Sequence, residues 1–537
     1  MRARSAMVVA QEPLAADAGL AVLKAGGNAV DAAVATGFAL AVTHPFAGNL
    51  GGGGFMLIRM ANGTTSFIDF REMAPKSATR DMYLGPDGKV TRDSLVGWRA
   101  SGIPGSVRGF EMAHKKFGKK AWGAVLDPAI GLAAKGFTVS YSLSESLKNA
   151  TKLLERFADS KRIFLKDGTL YQPGETFKQP QLADTLKRIK KRGAADFYEG
   201  ETAIKLAAAM QANGGTITVE DMKGYRAVER KPLTGKYHEF EVLTSPPPSS
   251  GGIGILQMLG MLEGSGYEKG GAGSAAEIHY VSEVMRRFYA DRSEYFGDPD
   301  FFEVPMKKML DPRYIAMRRA SIDREHATPS SVIKAGKLTA YESSETTHYN
   351  VVDKDGNAVA VTYTLNGGYG SGVTAPGLGF LLNNEMDDFA AKPGEPNMFG
   401  LVQGEANAIQ PGKRPLSSMV PTMLIKDGKP YLLLGAPGGS RIPNGVLQVI
   451  LNVVDFHMNV QDAVDWPRFH HQWQPDRLFL EKGVSPDTIA ILKAMGHEVE
   501  SSERTAVVIA RVEAIVNDKG WLQGGSDGRG VGKAAGF

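Results

Sequence analysis

The stretch from Glu342 to Gly367, ESSETTHYNVVDKDGNAVAVTYTLNG, constrains this chain more than any other. THYNVV and AVAVTYTL are rich in β-branched and aromatic residues, and DKDG between them has the composition of a turn, so a β-hairpin is predicted. With the turn at Lys354 to Gly356, Thr364 falls within about one residue of the point across from Thr346. Thr362, Thr364 and Asn366 have the same parity and share one face of the second strand. Two readings fit that polar stripe. It is either a solvent-exposed sheet face, where threonine is favoured, or a place where hydroxyl groups do chemistry. The polar run YESSE, which feeds directly into Thr346, is the feature that needs explaining.

Composition removes several classes of function. The 537 residues are 43% hydrophobic, 22% charged and 8% aromatic, which suits a soluble globular chain with a sizeable core. A net charge of +4 is small for this length, so no nucleic-acid surface is indicated. The dense basic run LKRIKKRG, Leu186 to Gly193, has Leu186 and Ile189 at helical spacing and reads as the solvated face of an amphipathic helix. The absence of cysteine excludes disulfides, thiolate nucleophiles and cysteine-based metal sites. The longest apolar stretch, Ala32 to Phe46, is too short for a membrane span and is cut by His44 and Pro45. The N-terminal run AMVVA ends at Gln11-Glu12-Pro13 and does not read as a signal peptide.

Along the chain, the first segment reads as two helices broken at Gly26-Gly27, the second capped near Asn28 and apolar nearly all round. FAGNLGGGGFMLIRM then reads as a glycine-rich turn feeding a strand, with TTSFIDFREMAP as a second strand. From about Leu95 to Gly336 the pattern is mostly helical and includes the amphipathic helix AAEIHYVSEVMRRFYADRSEYF. From Thr346 strands dominate: the hairpin, GFLLNN, PTMLIKDGKPYLLLGAPGG and RTAVVIARVEAIVNDKGWLQGGS, with the helix NGVLQVILNVVDF among them. Early and late elements must share sheets, which argues for one α+β unit.

Three motifs carry less than they promise. GNLGGGG lies between a helix and a strand, the reverse of a phosphate-binding loop, and lacks Lys-Ser/Thr, so close backbone packing explains it better. GGSDG around Ser526 matches a nucleophile elbow, but the last histidine, His497, precedes it, whereas that fold needs one after it. His470 and His471 would point to opposite faces of an extended chain, and no H-E-x-x-H exists, so a structural pair is expected rather than a metal site.

Thr346 offers chemistry of another kind. A threonine hydroxyl is a weak nucleophile unless a base takes its proton, and one known base is the residue's own free α-amine. That amine has an unperturbed pKa of about 7.7–8.0. An internal threonine acquires it only by cleavage of the preceding bond. Cleavage between Glu345 and Thr346 would leave chains of residues 1–345 and 346–537.

TTHYNVVDKDGNAVAVTYTLN resembles the start of the small subunit of the γ-glutamyltransferases (glutathione hydrolases), a family of N-terminal-nucleophile hydrolases. The likeness extends over nearly the whole chain, through GGNAVDAAVATGFALAVTHPFAGNLGGGGFMLIR, DFREMAP, PPPSSGGI, YADRSEYFGDPDF, LLNNEMDDF, KRPLSSMVPT, GAPGGSR and PRFHHQW. It implies a four-layer αββα sandwich with two stacked, mainly antiparallel sheets, matured by self-cleavage into a large and a small subunit. By the same resemblance Thr346 is the nucleophile, Thr364 the threonine hydrogen-bonded near it, and Gly438 and Gly439 the oxyanion donors. Glu385 and Asp388 would receive the glutamyl ammonium group, Asn366 the α-amino end, and Arg71, with Ser417 and Ser418, the α-carboxylate. Substrates would be glutathione and related γ-glutamyl compounds, with water, amino acids or dipeptides as acceptors and no metal or organic cofactor. The resemblance also implies a periplasmic or extracellular place, although the first residues do not read as a leader and a cytoplasmic place stays open. Phe399 stands in a stretch resembling a lid loop, where tyrosine is common. The alternatives are an acylase of the same fold acting on glutaryl cephalosporins, and a non-catalytic binding protein that kept the fold.

Overall fold

Alternation along the hairpin decides how the layers stack. In the computed structural model, which describes residues 1–333, 346–395, 397–398, 400–401, 403–501 and 508–537, the hairpin is formed by strands Thr347–Val352 and Ala358–Thr364. They pair antiparallel with Thr347 opposite Tyr363 and Val352 opposite Ala358. Glu345, the rest of YESSE, and Phe399 lie outside the described residues.

The hairpin sits inside a seven-stranded sheet, in the order Lys533–Gly536, Met7–Ala10, Thr347–Val352, Ala358–Thr364, Gly53–Arg59, Thr65–Asp69, Val228–Arg230. Every neighbouring pair is antiparallel. Strands from the two ends of the chain therefore share this sheet with the hairpin, side by side next to its first strand, as the α+β reading required. A second seven-stranded antiparallel sheet runs Arg2–Ala3, Trp521–Ser526, Glu513–Asp518, Lys429–Gly435, Thr422–Lys426, Phe240–Thr244, Leu233–Tyr237.

Successive residues of the first sheet go to opposite faces, as a strand demands. Val8, Met56, Ile58, Tyr349, Val351, Val359, Val361 and Tyr363 join one apolar cluster with helices Pro13–Lys24, Ala29–Thr43, Ser106–Phe117 and Trp122–Lys135. Their neighbours Val9, Phe55, Leu57, Val352, Ala358 and Ala360 join a second cluster with Leu424, Leu433 and Ile515 of the other sheet. That cluster continues into helices Gly251–Leu262, Ala275–Tyr295 and Ile442–Val454. The result is helices, sheet, sheet, helices: the expected αββα sandwich. Each fully buried aliphatic or phenyl side chain contributes about 1.5–3 kcal/mol.

The predicted helix pair breaks at Gly26-Gly27, and Asn28 caps the second helix by accepting from the N–H groups of Val30 and Asp31. Every residue of Ala29–Thr43 is buried. The basic run lies on helix Pro180–Arg192, which buries Leu182, Ala183, Leu186 and Ile189 and leaves its lysines outward. Four expectations are corrected. The segment before Gly336 is not all helical, because Val228–Arg230, Leu233–Tyr237 and Phe240–Thr244 complete the sheet edges. GFLLNN makes only isolated bridges, Leu381 to Thr374 and Leu382 to Gly51. In the last group of strands, residues 504–507 lie outside the described residues, and residues 508–512 precede the strand that starts at Glu513. The helix Ala275–Tyr295 is buried on all sides from Glu277 to Ser293, because its polar side find partners within the fold. Arg286 and Arg287 pair with Glu283, and Asp291 pairs with Arg318.

GNLGGGG is a packing device, as expected. A Cβ on Gly52 would lie 2.0 Å from the Thr364 carbonyl oxygen, and one on Gly54 would lie 2.3 Å from that of Thr362. Gly52→Ala should therefore force backbone apart and destabilise the fold by on the order of 1–3 kcal/mol, read as a lowered melting temperature. Gly131→Ala, in helix Trp122–Lys135 with nothing within 4 Å of the added carbon, should raise it, by about 0.5–1 kcal/mol.

Candidate active site

Thr346 immediately precedes the first strand of the hairpin, and the register carries it to the position opposite Thr364. Its hydroxyl donates to the Thr364 hydroxyl at 3.4 Å, and both are buried. Thr364 Oγ1 also accepts the Asn366 N–H at 2.8 Å. Asn366 has φ 75°, a left-handed conformation that asparagine tolerates better than most residues and that turns the chain out of the strand. Its amide donates to the Asn384 carbonyl at 3.0 Å. Behind Thr364, Asn49 donates to its carbonyl at 2.8 Å and accepts from Gly52 N–H and the Ser106 hydroxyl. The glycine-rich turn thus holds the main chain of Thr364 in place.

The polar stripe faces the second sheet, not solvent. His348 Nδ1 lies 2.8 Å from the Thr362 hydroxyl and Nε2 lies 3.1 Å from Asn350 Oδ1. A Cβ on Gly435, in the opposite sheet, would lie 2.3 Å from the His348 ring. Burial holds the His348 pKa down at about 3, so the ring is neutral and structural at ordinary pH.

Thr346, Thr364, Asn366, Arg71, Glu385, Asp388, Ser417, Ser418 and Gly439 line one cavity, together with Arg292. Gly438 adjoins it at a turn where φ is 145° at Gly438 and 52° at Gly439, angles that favour glycine. That turn opens the helix Ile442–Val454. Arg71 is fully buried and holds both acids: Nη1 donates to Glu385 and Nη2 to Asp388. Nη2 also donates to the Leu416 carbonyl at 3.0 Å, and Nε to that of Pro415 at 3.2 Å. Glu72 lies 3.6 Å from Nη1. Burial pushes the Glu385 carboxyl well above the usual carboxylate range, against the pull of Arg71 and helped by Glu72 and Asp388. Burial raises Asp388 too, and takes Glu72 up to about 7. Three acids around one guanidinium cannot all ionise freely in so dry a place. Glu385 Oε2 meets no nitrogen or hydroxyl donor among the described residues.

The model of the gamma-glutamyltranspeptidase family matches residues 15–537. The chain belongs to this family. A glutathione hydrolase proenzyme of Escherichia coli (strain K12) is 51% identical over 533 residues, spanning 99% of this chain and 91% of that protein. One from Pseudomonas sp. (strain A14) is 49% identical over 92% of this chain and 87% of its own length. Among solved structures, the cephalosporin acylase from Bacillus halodurans superposes with a TM-score of 0.88 at 28% identity, covering all of this chain and 96% of that one.

Within this family fold, two features of the site escape a reading of the sequence. Arg292 lies on the long helix whose polar residues read as solvated, and it reaches the cavity only because that helix is buried. Beneath the Gly438-Gly439 turn lies a polar network. Tyr289 donates to the Ser440 carbonyl, the Ser440 hydroxyl donates to Gln472 Oε1 at 2.8 Å, and His470 Nε2 lies 2.9 Å from the same oxygen. Asn444 Nδ2 lies 2.8 Å from His470 Nδ1. His471 instead accepts from Trp473 N–H and faces Asp476, so the two histidines serve different neighbours, as extended geometry predicts. No cluster among the described residues could hold a metal ion, and no helix among them is long and apolar enough to cross a membrane.

Thr364→Val would strip the acceptor from both Thr346 Oγ–H and Asn366 N–H. Leaving a buried donor unsatisfied costs about 1–3 kcal/mol, so the variant should melt lower than Thr364→Ser, which keeps the oxygen.

Proposed function

We propose that the chain is a γ-glutamyltransferase and glutathione hydrolase that matures by cutting itself between Glu345 and Thr346. The observation that carries the reading is the charge arrangement beside Thr346: one arginine and two carboxyls, buried together and paired with one another. An α-amino acid head is the mirror image of that set. Its ammonium takes over Glu385 and Asp388, using the idle Oε2, while its carboxylate takes over the freed N–H groups of Arg71 beside Ser417 and Ser418. Exchange of one set of buried partners for another avoids the cost, about 3–5 kcal/mol, of leaving a buried charge alone. A glutaryl group has no ammonium and would leave Glu385 and Asp388 without a cation once Arg71 turned to its carboxylate. That favours γ-glutamyl donors over the glutaryl cephalosporins of the acylase alternative.

In the first reaction Thr346 Oγ attacks the carbonyl carbon of Glu345. The peptide bond becomes an ester, and water opens it to give chains 1–345 and 346–537. Two strands of the 346–537 chain then lie at the centre of the first sheet, so the two chains remain one folded body. The new α-amine, with a pKa of about 7.7–8.0 in the unperturbed state, takes the Oγ proton in later turnovers. Oγ next attacks the γ-glutamyl amide carbon. The N–H groups of the Gly438-Gly439 turn stabilise the oxyanion, a role whose loss typically costs about a hundred- to thousandfold in rate. The amine leaves protonated, and a γ-glutamyl ester remains on Thr346. Water releases glutamate from it, and an amino acid or dipeptide amine yields a new γ-glutamyl compound. Asn366, on the turn after Thr364, contacts the α-amino end.

Thr346→Ala should remain a single uncut chain without γ-glutamyl hydrolase activity. Two subunits of normal size on a denaturing gel would sink the assignment. The raised carboxyl pKa values add a pH signature. In the empty pocket the acids hold protons at pH values where ordinary carboxylates have lost them, and a bound ammonium favours their ionised forms. Binding of the glutamyl head should therefore release protons and tighten as pH rises above the ordinary carboxylate range, because burial raises both Glu385 and Asp388. Calorimetry in buffers of different ionisation enthalpy reads the release directly, and a binding heat independent of buffer would contradict it.

A further inference from the structure

Most buried arginines in this fold find carboxylates. Arg71 holds Glu385 and Asp388, Arg286 and Arg287 share Glu283, and Arg468 pairs with Asp527. Arg292, like Arg59 at a strand end, forms no such pair among the described residues. Arg292 is 3% exposed and lines the active-site cavity. Its Nε donates to the Ser250 hydroxyl at 2.9 Å and its Nη2 to the Ser418 hydroxyl at 3.2 Å. Nη1 is buried with no hydrogen-bond partner among the described residues. Burial lowers its pKa to about 10, against a weaker pull from Tyr289 and Asp388, and still leaves it charged at neutral pH.

The bonds it makes set the polarity of its neighbours. A hydroxyl that accepts an N–H keeps its own proton to give away. Ser418 Oγ accepts from Arg292, and Ser417 Oγ accepts from the Met419 N–H at 3.1 Å. Ser250, which accepts from Arg292 Nε, passes its proton to the Ser417 carbonyl at 3.0 Å and so ties the guanidinium to the backbone of the pair. Two serine hydroxyls on the cavity wall are thus turned into donors beside a cation that lacks an anion. A buried, unbalanced guanidinium with polarised donors around it matches a carboxylate. Arg71 offers only part of its fork for that match, because Nε and Nη2 stay engaged by the Pro415 and Leu416 carbonyls even when the two acids turn to the ammonium.

We propose that Arg292 is a positioning residue for the α-carboxylate of the donor: it holds Ser418 as a hydrogen-bond donor and adds a second positive charge beside that of Arg71. The inference rests on the γ-glutamyl reading above. It makes Arg292 a determinant of which acyl donors are accepted, acting through Ser418 and not on the reacting atoms.

The test compares two donors, a γ-glutamyl anilide and the 4-aminobutanoyl anilide, which lacks only the α-carboxylate. In the unsubstituted enzyme kcat/KM should favour the first. Arg292→Gln should shrink that preference about ten- to hundredfold, the range for a hydrogen bond to a charged group. The loss should appear mainly as a raised KM for the γ-glutamyl donor. Arg292→Lys should restore part of the preference, because it returns the charge without the fork. Equal losses on both donors would show a merely structural role, and an unchanged preference would show none; either overturns the proposal. If neither variant matures into two chains, Ser418→Ala carries the test, and full retention of the donor preference there overturns it. An unsubstituted enzyme that turns over neither anilide would overturn the γ-glutamyl reading itself, a result distinct from any behaviour of the variants.

Discussion

A strand buried on both faces must satisfy its side chains as well as its backbone, and the strand Thr347–Val352 is such a strand. On one face it gives Tyr349 and Val351 to the helical layer. On the other it carries Thr346, His348 and Asn350 into the space between two sheets, where every polar atom needs a partner. Those partners come from the hairpin's second strand and from the opposite sheet: Thr364, Thr362 and the Glu513 carbonyl. The polar stripe is therefore a consequence of stacking two sheets, and its end is where a hydroxyl meets a cavity. The strand of residues 7–10 pairs with Tyr349–Val352 on one side of the hairpin and is itself backed by residues 533–536, while the start of the strand is held by its pairing with Tyr363 and Thr362.

The cavity is organised by charge. Without substrate, its arginine and its acids neutralise each other at a cost to the acids, whose proton affinities rise. In the proposed reading a zwitterionic head replaces both halves of that arrangement at once, which makes recognition an exchange of partners and not the filling of an apolar hole. The same logic explains why Arg292 matters: it is the one buried cation of the wall with no carboxylate of its own among the described residues.

Much of this was legible in one dimension, and the limits are physical. Period-two alternation and a turn of clear composition placed Thr346 across from Thr364. What alternation does not say is which face looks at water, so the stripe was open to an exposed reading until the second sheet was seen above it. Arg71, Glu385, Asp388 and Ser417 were assigned by resemblance alone, since no local pattern connects residues more than three hundred positions apart. Arg292 was hidden by its setting. A polar residue on an amphipathic-looking helix is normally solvated, and here the segment from Asp311 to Ile333 supplies partners for the outer face of that helix instead, as Arg318 does for Asp291 and Ser330 for Arg286. The short strands between Val228 and Thr244 were missed because edge strands carry weak patterns inside a helical stretch.

By itself the sequence determined the hairpin, the buried first helices, the tight glycine turn before Gly53–Arg59 and the exclusion of thiol chemistry, because each depends on local periodicity, local backbone freedom or composition. Only the tertiary structure decided the raised proton affinities of Glu385, Asp388 and Glu72, the engagement of Arg71 by the acids, and the lack of an ion pair at Arg292 among the described residues. Those are properties of burial and of distance between segments far apart in the chain, and neither quantity exists until the layers have closed on one another.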